Sequence, residues 1–229
     1  MPKYTKEGNL MYKWLSDLFP LLRSIAGPNN LKTLKYLQKI NKELKIKYFK
    51  SGDKIYDWKI PNEWHLKEAY IKNPKGKKII DVKKNNLSIL NYSKSVNKII
   101  DLKNLKKHLY TLKDMPKSIP YTTSYYLKRW GFCIKYNDYK KLKAGKYHVR
   151  VNSKFIRGKM HYGEIIIKGK TTNEIFLSTN ICHPSLANNE LSGPVLTLML
   201  SNYLKTIDNW YTYRVIFIPE TIGSINYIN

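Results

Sequence analysis

Cysteine is almost missing from this chain. Cys133 and Cys182 are the only two, too few and too far apart for a disulfide framework or a CxxC metal knuckle. Cys182 reads as a small apolar residue in the packing of a strand end. No apolar run approaches the roughly 20 residues a membrane span needs. The first nine residues, Met1-Pro-Lys-Tyr-Thr-Lys-Glu-Gly-Asn9, are polar and lack a signal-peptide core. Together these absences lead to the expectation of a soluble, cytoplasmic protein with no membrane partner. Acidic residues are also scarce, 16 against 42 basic ones, for a net charge of +26. Arginine is scarce within that excess, at positions 23, 129, 150, 157 and 214 only. Lysines are scattered along the chain, and Lys, Asn, Ile and Tyr are abundant together, the residues of A/T-rich codons. Base composition therefore explains the charge better than a dedicated phosphate-binding role. No helix-turn-helix signature, zinc finger or Arg-rich arm is present, so no specific nucleic-acid partner is expected. A basic nucleic-acid-binding module would rest on charge alone.

What the chain does have is 229 residues, enough for one large domain or two small ones. Leu10 to Ile25 carries a helical apolar stripe despite Pro20, Gly27-Pro28 ends it, and Asn30 is placed to cap a second helix over Leu31, Leu34, Leu37, Ile40 and Leu44. From Ile46 the period shortens. Strand-like runs follow at 46–49, 54–58, 68–71, 78–82 and 88–92, separated by turn chemistry at Ser51-Gly-Asp53, Asn73-Pro-Lys-Gly76 and Asn85-Asn86. A short helix is expected within 100–112, β or extended structure over the aromatic stretch 121–136, and a further strand at 147–151. The division expected is an N-terminal helical hairpin at 10–49, a β-rich module at 50–150 and an α/β section at 151–229.

The last section carries the chemistry. The run Glu174-Ile-Phe-Leu-Ser-Thr-Asn180 alternates as a strand and delivers His183 onto a loop, after which Leu191 to Leu204 has a helical pattern. A second strand, Tyr213-Arg-Val-Ile-Phe-Ile218, ends on Pro219-Glu220-Thr-Ile-Gly-Ser224. Side chains just beyond strand ends are where open α/β sheets place their chemistry. A His and a Glu at two successive strand ends are ligand and base types for a zinc hydrolase.

In this order of elements the chain resembles the co-catalytic zinc aminopeptidase clan, which includes bacterial leucyl aminopeptidases and glutamate carboxypeptidases. More closely it resembles the aminopeptidase-like proteins encoded among bacterial surface-polysaccharide genes. The segments that carry the likeness are Leu21-Leu-Arg-Ser-Ile-Ala-Gly27, Asp57-Trp-x-x-Pro-x-x-Trp64, Pro120-Tyr-Thr-Thr-Ser-Tyr-Tyr126, Trp130-Gly-Phe-Cys133 and Ile181-Cys-His-Pro-Ser-Leu-Ala-Asn-Asn-Glu-Leu-Ser-Gly-Pro194. The resemblance implies an α/β zinc aminopeptidase-like sheet with flanking helices, incomplete here, and an inserted β-rich module. It implies metal-dependent hydrolysis of an N-terminal peptide or amide bond in a small substrate. His183 and Glu190, or Asn189, would hold zinc, and Glu220 would be the general base or itself a ligand.

The chain also departs from the clan pattern. Where that pattern puts a metal-bridging Asp stands Asn189, and the acid, Glu190, comes one place later, about 100° round a helix. Glu190 is thus either a ligand or a helix-start acid complementing the dipole. The clan's acidic ligand beside the base is replaced by Thr221. One or two zinc ions are implied, and the lost bridging acid favours one. A further acid and a final His implied by the resemblance do not occur in the nine residues after Glu220. That points to a fragment, a truncated product or one piece of a split protein, associating with a missing C-terminal half or as a homo-oligomer. A non-catalytic scaffold or small-ligand binder of the same fold is the competing reading.

Overall fold

The computed structural model describes residues 5–229; residues 1–4, part of the polar N-terminal stretch, lie outside the described residues. Two compact units form, one from the chain up to Glu63 together with Arg157–Asn229, the other from Trp64–Ile156.

The first unit is built on a four-stranded sheet in the order Lys45–Lys50, Lys159–Ile167, Thr212–Ile218, Glu174–Asn180. The first two junctions are antiparallel and the last is parallel, with Asn180 paired to Ile218 at its end. Alternation decides which residues face which side. Ile165, Ile167, Val215 and Phe217 pack with Trp14, Leu34, Leu37, Val195 and Leu198 from three helices, and with Leu191 just before the third, on one face. Tyr162, Ile216 and Ile218 face the other side, against Tyr227 of the last helix, Ile222–Ile228.

The first helix is shorter than the apolar stripe suggests. It spans Lys6–Leu18, with the Thr5 side chain accepting from the Gly8 N–H, and stops before Pro20. Proline lacks an N–H and collides with the preceding turn, so the stripe continues outside the helix as an irregular segment, buried from Arg23 to Ala26. The second helix starts at Pro28 and runs to Ile40, leaving Leu44 outside it. Proline suits a first helical position, so Asn30 is not the cap. It is buried, its Nδ2 donating to Ser24 O at 2.7 Å and its Oδ1 accepting from Ser24 N at 3.3 Å.

The second unit holds a sheet in the order Lys78–Asp81, Glu63–Lys72, Lys146–Ile156, Val96–Asp101. Its interior includes Trp64, Ile71, Leu90, Phe132, Tyr147 and Val149. Trp64 stacks on Tyr92 and donates its Nε1–H to Ser93 O at 3.0 Å.

Three local expectations fail, two of them where a residue takes a positive φ. The 54–58 run is a hairpin of two-residue strands, Lys54–Ile55 and Trp58–Lys59, because Tyr56 takes a positive φ of 50° and reverses the chain. The 88–92 run is not a strand: Asn86–Ser88 is a 3₁₀ turn capped by Asn85, and Tyr92 also has positive φ. Most of 121–136 is irregular, with a strand only at Phe132–Cys133. Conversely, the Val96–Asp101 edge strand carries Asn97, Lys98 and Ile99 in a row on its exposed stretch, a pattern without alternation.

Candidate metal centre

The two parallel strands stop side by side, and the residues just beyond each stop meet. Ile181 N still donates to Ile218 O at 3.2 Å, after which Cys182-His183 leaves on one side and Pro219-Glu220 on the other. His183 Nε2 lies 2.7 Å from Glu220 Oε1. His183 Nδ1 lies 2.7 Å from Asn189 Oδ1 and 2.8 Å from Glu190 Oε1. All four residues singled out in the sequence are therefore gathered around one imidazole.

A feature of the backbone places Glu190. Ala187–Leu191 forms one widened π-type turn before the helix Ser192–Leu204 begins, with Glu190 out of helical geometry at φ −132° and ψ 19°. Such a turn takes in one extra residue and commonly marks functional sites. Glu190 is 1% exposed, while Asn189 stays on the surface. Glu190 is no solvent-facing helix-start acid: its second oxygen accepts the His183 backbone N–H. Gly193 lets this turn lie against the sheet, since a Cβ there would stand 2.5 Å from Thr179 Oγ1.

Sequence reasoning missed two participants. Cys182 is fully buried, and its thiol donates toward Glu190 Oε1 and accepts from Glu220 N, both at 3.3 Å. It is thus a polar link between the two loops as well as a packing residue. Burial, together with the charge of Glu190, pushes the thiol well above its ordinary value. Arg23 is also fully buried, donating Nε–H to His183 O at 2.9 Å and Nη1–H to Leu18 O at 3.2 Å. It fixes the His loop from behind, and Ser185 adds a bond from Oγ to Phe19 O at 2.8 Å. The signal available in the sequence was an arginine inside an apolar run, Leu21-Leu-Arg-Ser-Ile-Ala26.

Burial opposes a charge on His183, but the bonds to Glu190 and Glu220 outweigh it and push the imidazole up to about 10. Burial alone would raise Glu190, yet its bonds to His183 hold the carboxyl below the usual range. Thr221 sits at φ 54°, ψ −91°, a conformation a β-branched residue rarely adopts, and Ser185 has φ 45°. Strain of this kind, about 1–3 kcal/mol per residue, persists where surrounding contacts over-determine the chain. Here it falls on both loops of the site.

The ligand-type atoms of Cys182, His183, Glu190 and Glu220 all lie within 4.8 Å of one another. An imidazole, two carboxylates and a thiol are the N, O and S donors that zinc takes, so the residues present fit such an ion. Among the described residues, no helix is long and apolar enough to cross a membrane.

Comparison with known proteins agrees with this architecture. The family described as "Domain of unknown function (DUF4910)" matches residues 12–229. A putative polysaccharide biosynthesis protein with aminopeptidase-like domain from Clostridium acetobutylicum is 40% identical over 225 residues. That alignment covers 98% of this chain and 52% of the relative, so the chain spans about half the length of the curated relative it matches. The crystal structure of a putative peptidase from the same species superposes with a TM-score of 0.93 at 41% identity, over 96% of this chain and 52% of that one. A zinc aminopeptidase from Bacillus subtilis superposes at 0.60 with 14% identity, over 95% of this chain and 63% of that one, a likeness of fold alone. With the match running almost end to end, the chain belongs to the DUF4910 family, and its fold is aminopeptidase-like.

Proposed function

We propose that this chain carries the zinc-binding part of an aminopeptidase-type hydrolase site, acting on an N-terminal peptide or amide bond in the setting of surface-polysaccharide biosynthesis. The observation that carries the reading is the convergence of four donor side chains within 4.8 Å at the ends of two parallel strands. His183 and Glu190 would hold one zinc ion, with the Asn189 amide oxygen and the Cys182 thiol beside them. Zinc at such a position supplies Lewis acidity to a carbonyl and to water.

The chain's own residues divide the remaining work. Arg23 and the Glu190 carboxylate grip the His183 backbone and fix the loop. Glu220 is the open member of the set, its side chain 33% exposed against none for Glu190. A carboxylate that reaches both the site and solvent suits a general base, which takes a proton from the attacking water and returns it to the leaving amine. The alternative for Glu220, a third ligand, uses the same position. A non-catalytic scaffold or small-ligand binder is the second reading, favoured by the neutral Asn189 and Thr221 where the resemblance implies acids.

Hydrolysis is expected to require further polypeptide, in the same chain or in a partner, since the donors within these residues come from two strand ends only. An aminopeptidase assay on the 229-residue chain with added zinc, beside His183→Ala, tests this. Zinc binding without turnover is the expected result. Zinc-dependent turnover that His183→Ala abolishes would show that the site is complete as it stands, and absence of zinc binding would favour the second reading.

A further inference from the structure

The positive charge is not spread evenly over the molecule. Residues 64–156 contain 23 of the 42 basic residues and 5 of the 16 acidic ones, so 93 residues carry +18. The other 136 residues hold 19 basic and 11 acidic, for +8. Base composition acts on every codon of the gene and does not by itself place 25% basic residues in one unit and 14% in the other. The expectation of scattered lysines is corrected accordingly.

Within the basic unit, the charges form a connected strip. His108 stacks on Trp130 with ring centroids 3.6 Å apart, Lys107 is its chain neighbour, and Lys94 N donates to Arg129 O at 2.9 Å. Burial first, then the charges of Lys107, Lys94 and Lys98, hold the imidazole below its ordinary value. These three lysines are exposed and, among the described residues, have no carboxylate partner. On the neighbouring short helices, Lys106 Nζ lies 5.1 Å from the centre of the Tyr139 ring. Tyr139 stacks on Tyr136, over which Lys140 sits at 5.0 Å. Contacts of this kind hold flexible ammonium groups in place. The acids on these elements are already engaged: Asp101 accepts from Asn104 N at 2.9 Å, and Asp138 pairs with Lys141 at 3.7 Å.

We propose that this lysine strip binds an acidic polysaccharide, a glycan bearing carboxylates along its length. Its charges are almost all lysine point charges. Arg129 and Arg150 are the two arginines of the unit, and both are committed, Arg129 to Ser124 Oγ and Thr123 O, Arg150 to Glu68. No guanidinium fork is left for the bidentate contacts that nucleic-acid readers favour, and the tyrosine faces that would stack on bases are covered by lysines. The choice of a glycan as occupant rests on the proposed setting in polysaccharide biosynthesis; the charge argument does not, nor does the strip depend on the zinc site.

The experiment measures binding of the full chain to polygalacturonate at low and high salt, with neutral dextran and an oligothymidylate of equal charge number as comparisons. Two triple variants remove the same charge, Lys94→Gln/Lys98→Gln/Lys107→Gln in the strip and Lys32→Gln/Lys35→Gln/Lys39→Gln on the Pro28–Ile40 helix of the other unit. The expected result is binding to polygalacturonate that weakens steeply with salt. It falls about tenfold in the strip variant and less than about twofold in the helix variant, because nearby rather than total charge sets the affinity. The His183→Ala chain should bind the glycan as the parent does, so loss of the zinc proposal leaves this result unchanged. No binding at low salt, equal loss in both triple variants, or tighter binding of the oligothymidylate would overturn the proposal.

Discussion

The two units of this protein use charge in opposite ways. In the unit that carries the site, ionic groups face one another: Glu164 is buried against Lys47, Arg214 and Tyr227, Arg214 also grips Glu174 through both carboxylate oxygens, and Glu190 is closed over His183. From residue 157 onward this region has 6 basic and 5 acidic residues. In the 64–156 unit most charge is lysine turned to solvent, with few acids to answer it. Internal pairing fixes geometry, which a metal site demands, because a buried charge without its partner is expensive. Unpaired surface charge contributes little to stability and leaves a field for a partner of opposite sign.

The comparison is sharpest in the two cores. Phe217 and Phe132 are both fully buried, one in each unit. Truncation to Ala should cost about 3–5 kcal/mol in either case, measurable by denaturant unfolding. The binding consequences should separate, Phe217→Ala weakening zinc binding and Phe132→Ala weakening polygalacturonate binding. Loss of both activities in each variant would show that the functions are not divided as described.

Glycine substitutions give a smaller contrast. Gly193→Ala drives a methyl into Thr179 Oγ1 and should cost about 1–3 kcal/mol, as overpacking does, with a drop in zinc affinity as the Glu190 turn is pushed outward. Thr179→Ala in the same chain should restore both. Gly76, at φ +78° with nothing near its missing Cβ, should cost only about 1 kcal/mol on change to Ala, through its backbone conformation alone. No rescue by Thr179→Ala would mean that the close approach is not what requires Gly193.

The smallest effect expected is in acid. Burial alone would raise Glu164, but its bonds to Lys47, Tyr227 and Arg214 hold its carboxyl below the usual value. A depressed folded-state value stabilises the protein above the unfolded-state pKa near 4.5 and loses that contribution as pH falls through the folded value. The stability gap between the parent and Glu164→Gln should therefore narrow on going from about pH 6 toward pH 3. A gap that stays constant would show that the carboxylate's charge is not what the network uses.

Much of the candidate site's geometry was legible because strands announce their ends. The alternation in 174–180 and 213–218 places His183 and Glu220 just past two strand termini, and those strands are adjacent and parallel in the sheet. Periodicity has no means of showing where a helix start is widened. The π-type turn at 187–191 moves Glu190 by a local change of backbone that no residue type in Ala-Asn-Asn-Glu-Leu requires. Arg23 was hidden for a related reason: a helical stripe interrupted by Pro20 continues as an irregular buried segment, and one of its polar partners is a backbone carbonyl 160 residues away. In the basic unit, positive φ at Tyr56 and Tyr92 turns the chain where the aromatic, β-prone sequence favours extension, so tertiary packing overrides propensity there.

The central proposal is that His183 and Glu190 hold one metal ion, with Glu220 beside it. Titrating zinc into metal-depleted chain and following binding by calorimetry, for the parent, His183→Ala, Glu190→Gln and a Cys133→Ser control, tests it most directly. Cys133 is buried in the other unit. The account predicts one zinc per parent chain, unchanged binding in the control, and losses greater than about 100-fold in the first two variants, beyond those typical of groups that only support a ligand. A parent chain that takes up no zinc, or a His183→Ala variant that binds it as tightly as the parent, would contradict it.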